Sequence, residues 1–98
     1  MARLIISWDT QARTSFKKQI KRIAKDSIQS AEKVRIDLLE LIDQIPDNPE
    51  KFPPDRFKNN NDGNFRAFEK HNIRVAYFIT DSIRILRVRH VKQEPLNY

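Results

Sequence analysis

From residue 64 onward the chain changes its hydrophobic period, and that change limits the folds open to it. Three runs rich in β-branched and aromatic residues, 64–69 (NFRAFE), Ile73–Ile79 (IRVAYFI) and Ile83–His90 (IRILRVRH), are separated only by KHN and TDS. Links that short join neighbouring strands as hairpins, so the three runs predict an antiparallel meander. Upstream the period is helical. Ala12, Phe16, Ile20, Ile23 and Ala24 recur at three- and four-residue steps, and Ala31, Val34, Leu38, Leu41, Ile42 and Ile45 do the same. Trp8-Asp9-Thr10 offers a cap for the first helix, and Ser27 or Ser30 a cap for the second. Pro46 stops the second helix, because proline lacks an N–H and disfavours helical geometry in the residue before it. The short link at Asp26-Ser27-Ile28 makes the two helices an antiparallel hairpin. A brief opening strand, residues 3–7 (RLIIS), needs the same sheet for stability and is expected beside the last strand. The expected class is α+β, in the order β-α-α-β-β-β, with an antiparallel sheet packed on a two-helix hairpin. A chain of 98 residues has room for one modest core, so residues 1–98 are expected to form one domain.

Composition removes several kinds of function. No apolar run approaches the roughly 20 residues that cross a bilayer, and MARLIISWDT lacks a signal-peptide layout. With no cysteine, neither a disulfide framework nor a thiolate metal site is available, which fits a cytoplasmic protein. His71 and His90 alone do not make a zinc site. The expected chemistry uses no metal and no cofactor.

The formal charge is +6 and the pI about 9.9. Residues 10–26 carry six basic and one acidic side chain, residues 28–45 two and four, and residues 64–98 seven and three. A basic balance of this kind suits a nucleic acid or an acidic protein partner. On the first helix the cations Arg13, Lys17, Lys18, Lys21, Arg22 and Lys25 lie opposite the apolar stripe. A membrane-surface role has that pattern too, but the stripe is needed to build a core, and a solvated basic face follows from it. Between the helices and the meander, residues 46–63 form a polar connection with four prolines, and Phe52 and Phe57 are its apolar anchors. Connections that long in compact domains often carry function, and Lys51, Arg56 and Lys58 could reach a ligand from this one.

Strand alternation gives the remaining charges a direction. In the middle strand Ile73, Val75, Tyr77 and Ile79 share the face that suits the helices, which leaves Arg74, Ala76 and Phe78 on the other. A turn at His71-Asn72 pairs Glu69 with Arg74. A two-residue turn at Asp81-Ser82 pairs Arg74 with Arg89, and sets Arg74, Arg87 and Arg89 on one face with Leu86 and Val88 on the other. A three-residue turn at 80–82 instead pairs Arg74 with Val88 and brings His90 to the Arg74 face, since a one-residue slip inverts every side chain. The first register is preferred because it buries Leu86 and Val88 together. It also places like charges opposite each other, at a cost of up to about 1 kcal/mol, which an anion bound there would offset.

The order, length and strand motifs resemble the RelE/ParE superfamily of type II toxin–antitoxin toxins. Arg74 and Tyr77 match an Arg-x-x-Tyr pattern on the middle strand of that superfamily, and Val88, His90 and Lys92 match the end of its last strand. The resemblance implies a growth-inhibiting toxin of a plasmid-stabilisation type, neutralised by a cognate antitoxin that wraps an often acidic segment over it. The basic first helix suits such a partner, with Phe16, Lys17, Ile20 and Lys21 as the expected antitoxin contacts.

Three activities remain open at this point. RelE-like members cleave mRNA on the ribosome. In that case the resemblance makes Arg74 the phosphate clamp, and His90 an acid or base, a task an imidazole suits at neutral pH. Arg87, Arg89, Lys92 and Lys58 would bind RNA, and Tyr98 would stack a base or donate a proton if the tail folds back. ParE-like members act on DNA gyrase and leave mRNA intact. A catalytically silent module that only holds its acidic partner is the third reading.

Overall fold

The computed structural model describes residues 4–93 and 97–98. Strand β1 (Ile6–Trp8) leads into helices α1 (Thr10–Ala24) and α2 (Ile28–Gln44), a 3₁₀ turn (Ile45–Asp47), and strands β2 (Phe65–Lys70), β3 (Ile73–Ile79) and β4 (Ile83–His90). Asp9 caps α1 by accepting from the Gln11 N–H at 3.0 Å, and Ser27 caps α2 by accepting from the Ser30 N–H at 3.1 Å. The second helix yields to the 3₁₀ turn at Pro46, as its missing N–H requires. Among the described residues no helix is long and apolar enough to cross a membrane.

The sheet order is β1-β4-β3-β2. β2, β3 and β4 form the antiparallel meander, and β1 lies beside β4 as expected but runs parallel to it, so the sheet is mixed. The direction follows from the helices. Two antiparallel helices return the chain to the end of the sheet where β1 stopped, and the connection must then travel the length of the sheet before β2 begins. It does so along the outer edge of β2. Pro54 bridges Arg66, the Asp55 N–H donates to the Phe65 carbonyl at 2.7 Å, and the Ala67 N–H donates to the Pro53 carbonyl at 3.2 Å. The loop thus covers an edge that would otherwise be open to other strands.

One sheet face packs on the helix hairpin. Leu38, Ile42 and Ile45 meet Ile73, Val75, Tyr77, Ile83, Ile85 and Val88, all buried. Tyr77 keeps its hydroxyl satisfied there by donating to the Pro49 carbonyl at 2.7 Å, and burial pushes its phenol up to about 12. His71, on the β2–β3 turn, reaches the Asp37 carboxylate of α2 at 2.6 Å and ties the hairpin to the helix layer.

Register decides where the arginines go. His71 and Asn72 both adopt the left-handed conformation, with φ of 55° and 64°, which a two-residue hairpin turn requires. Glu69 therefore faces Arg74. The last hairpin reaches the expected Arg74–Arg89 pairing by another route. Ile79 pairs with Ile83 around a three-residue link, which alone would set Arg74 against Val88. The register then shifts, because Tyr77 pairs with Ile85 and Ala76 with Arg87, leaving Leu86 as the extra residue of a β-bulge. Beyond it Arg74 faces Arg89. The expected burial of Leu86 with Val88 is corrected accordingly: Ile83, Ile85 and Val88 fill the helix side, and Leu86 is half-buried.

Candidate anion-binding site

The sheet face turned away from the helices carries a cavity of about 170 Å³ with Arg74, Arg87 and Arg89 in its lining. Arg74 is its centre. The side chain is 16% exposed, and each half of its guanidinium fork holds a carboxylate: Nη2 donates to Asp55 at 2.7 Å and Nη1 to Glu69 at 2.6 Å. The Phe57 ring lies 4.7 Å beneath it, a cation–π contact that fixes the plane of the fork.

Asp55 comes from the long loop and is 1% exposed. Besides Arg74 it accepts from the Phe57 N–H at 3.0 Å and from the Tyr98 hydroxyl at 2.7 Å. Burial by itself would raise its pKa, but the bonds from Tyr98, Arg74 and the Phe57 N–H outweigh burial and hold the carboxyl below its ordinary value. The position of Asp55 is set by main-chain geometry. Asn61 donates from its side chain to the Asp55 carbonyl at 3.2 Å and the Phe65 carbonyl at 2.7 Å, and accepts from the Gly63 and Phe65 N–H groups. Gly63 permits that tight return with a φ of 100°.

Tyr98 folds back onto the site. Its N–H donates to the Phe57 carbonyl at 3.0 Å, and its main-chain oxygen accepts from the Asn59 N–H and from Lys58 Nζ at 3.2 Å. The ring stands edge-on to Phe65, with the Arg87 guanidinium 4.3 Å and Lys58 Nζ 5.4 Å from its centre. Burial, then the bond to Asp55, raises the phenol, so Tyr98 acts as a hydrogen-bond donor at neutral pH.

The residues singled out from sequence are distributed unevenly about this centre. Arg87 and Arg89 line the cavity with Arg74, and burial followed by repulsion from Arg87 lowers Arg89. Lys58 is drawn to Tyr98 and Phe65. His90 pairs with Ile73 and so belongs by register to the helix-side set, but at the strand end it borders both this cavity and a recess beside α1. Its Nδ1 accepts from the Lys92 N–H at 3.0 Å, which in the neutral ring leaves the proton on Nε2. The Lys92 side chain is exposed beyond the strand.

Of the expected antitoxin contacts, two pack into the core in the free chain. Phe16 is 8% exposed and stacks edge-on against Trp8 at 5.4 Å, and Ile20 is half-buried against the same core. Both serve the packing of α1 on the sheet. Lys17 and Lys21 are exposed on its outer side. Asp55 was not singled out from sequence. The one available signal was a lone acid in KFPPDRFKNNN, opposite a face that needed counter-charge, and a sequence separation of 19 between Asp55 and Arg74 hid the pairing.

Residues 6–95 match the family model of the ParE toxin of the type II toxin–antitoxin system, parDE. The chain belongs to this family. That finding agrees with the RelE/ParE resemblance read from Arg74, Tyr77, Val88 and His90, and as a type II toxin the chain has an antitoxin as its partner. Among solved structures, it is similar to the YoeB dimer from Staphylococcus aureus, with a TM-score of 0.62 and 24% identity, covering 90% of this chain and 97% of that one. At that identity the likeness is one of fold. No curated protein sequence matches the chain. The arginine-lined cavity and the basic outer face of α1 lie on different layers of this chain.

Proposed function

We propose that this toxin inhibits translation by cleaving mRNA at the ribosome without a metal ion, with Arg74 as the phosphate clamp. The observation that carries the reading is the unequal pair of carboxylates on Arg74. Asp55 is buried and held by three donors, so it stays. Glu69 is 41% exposed and, among the described residues, held by Arg74 and Arg56, so an RNA phosphate can take its place on Nη1. Arg74 then keeps one edge on Asp55 and turns the other to the substrate. The displaced Glu69 carboxylate, beside the phosphate, accepts the proton of the 2′-OH as that oxygen attacks phosphorus. The P–O5′ bond breaks, a 2′,3′-cyclic phosphate forms, and His90, as its imidazolium with the Lys92 N–H bond to Nδ1 released, supplies from Nε2 the proton that the leaving 5′-oxygen takes up and returns to the neutral ring. Arg87 and Arg89 oppose the charge that develops on the phosphoryl oxygens.

Primer extension on a reporter mRNA in a cell-free translation reaction tests this. Translation-dependent breaks are expected with the toxin and lost with Arg74→Ala and His90→Ala, both shown to be folded by circular dichroism. Intact mRNA at a dose that stops growth would refute it. The parDE description of the family model supports a second reading, inhibition of DNA gyrase. On that reading mRNA stays whole, gyrase supercoiling falls, and the His90 variant keeps full toxicity.

A further inference from the structure

Gln19 occupies a core position on α1, one turn beyond Phe16, and is 6% exposed. Its side-chain amide has no hydrogen-bond partner among the described residues, yet no polar side-chain atom sealed from solvent is left unpartnered. The amide therefore still reaches solvent, and Gln19 lines a recess. The recess, of about 310 Å³, lies between the end of α1, the β2–β3 turn and the end of β4, and falls at the small end of ligand-sized cavities. Ile23 and Ile73 give it apolar walls, His71 and His90 border it, and Arg22 and Asp26 stand at its rim.

An amide that is mostly buried yet still reaches solvent can exchange its water for a ligand's donor and acceptor. The chemistry of the recess selects that ligand. Arg22 and Asp26 leave the rim without a net charge, and apolar walls with imidazoles alongside and a side-chain amide in the lining fit a flat heteroaromatic ring. His90 lines the arginine cavity as well. His90 is thus the shared border that a strand with a phosphate on Arg74 would cross to place a neighbouring base in the recess. We propose that the recess takes one unstacked base of the RNA strand and that Gln19 reads it, favouring adenine, whose adjacent acceptor and donor a glutamine amide matches in bidentate fashion. This rests on the RNA-cleaving reading and assigns Gln19 a role in sequence preference.

Binding of 2′-O-methyl RNA trinucleotides, which cannot be cleaved, tests the inference apart from activity. Affinities of the A, C, G and U homotrimers are measured by calorimetry, while the Gln19 side-chain amide is followed by NMR. Wild-type protein is expected to prefer the adenine trimer by roughly tenfold over the uracil trimer, with a shift of the Gln19 amide signals. Gln19→Leu, which suits a core position and keeps the fold, should level the trimers without abolishing binding. Gln19→Glu, which retains an acceptor but loses the donor, should remove the adenine preference too. Binding that needs Arg74 but ignores base identity, or an adenine preference that survives in Gln19→Leu, overturns the recess and leaves the RNA reading standing. Failure of every trimer to bind the wild-type protein overturns both.

Discussion

Replacing Asp55 tests whether the loop carboxylate organises the site. In Asp55→Asn the amide oxygen can keep the Arg74 and Phe57 donors, while its NH₂ donates to Tyr98, whose hydroxyl can turn to accept. What is lost is the charge beside a guanidinium that is 16% exposed and retains Glu69 on its other side. Breaking a buried pair by removing one partner costs about 3–5 kcal/mol, and Glu69 lessens that here, so we expect about 2 kcal/mol for Asn. Asp55→Ala also strips partners from Tyr98 and the Phe57 N–H, and should cost about 4 kcal/mol. In a domain of this size 1 kcal/mol moves Tm by roughly 4–8 °C, which predicts drops of about 8–16 °C and 16–32 °C at pH 7. The pH dependence has a definite sign. The folded carboxyl titrates below its unfolded value, so its stabilisation is complete above about pH 4 and fades as pH falls through the folded pKa. Thermal and urea unfolding of the three proteins at pH 7 and pH 3 checks this. The gap between wild type and Asp55→Asn should narrow in acid. A gap under about 0.5 kcal/mol at pH 7, or one equally wide at pH 3, would show that the Asp55 charge does not organise the site.

Three further outcomes follow from other contacts. Tyr98→Phe keeps the ring against Arg87 and Lys58 but removes the bond to Asp55, so it should cost about 1.5 kcal/mol in chemical denaturation and raise the Asp55 pKa. His71→Ala removes the strongest influence holding Asp37 below its ordinary range, and carboxyl-carbon NMR should show Asp37 titrating higher. Deleting Leu86 leaves Tyr77–Ile85 and Ala76–Arg87 as consecutive pairs, with Val88 still inward. That deletion should fold cooperatively at a loss of about 1–2 kcal/mol, the apolar contacts of one half-buried leucine, whereas unfolding or aggregation would show that the bulge itself is required.

Much of the fold was legible because it depends on local patterns. Helical spacing, the Asp9 and Ser27 caps, Pro46 and the His71-Asn72 turn each act within a few residues, and each appears where the sequence places it. The Glu69–Arg74 pair was readable for the same reason, since a two-residue turn fixes partners on both sides of it. Phe16 shows the limit of this kind of reading. A stripe identifies a buried face but does not reserve any of its members for a partner, and the sheet took this one.

The sequence by itself determined the elements, their order, and which strand would carry the arginines, because period and turn chemistry are properties of neighbours along the chain. Only the tertiary structure decided what those arginines face. A single bulge at Leu86 returned Arg87 and Arg89 to the side of Arg74, and the loop brought Asp55 back across the β2 edge to meet them. Alternation cannot foresee an extra residue, and no periodicity links an acid in an irregular loop to a cation 19 residues later. The site was settled by the path of the chain through space, where a buried guanidinium requires a counter-charge from whatever segment passes closest.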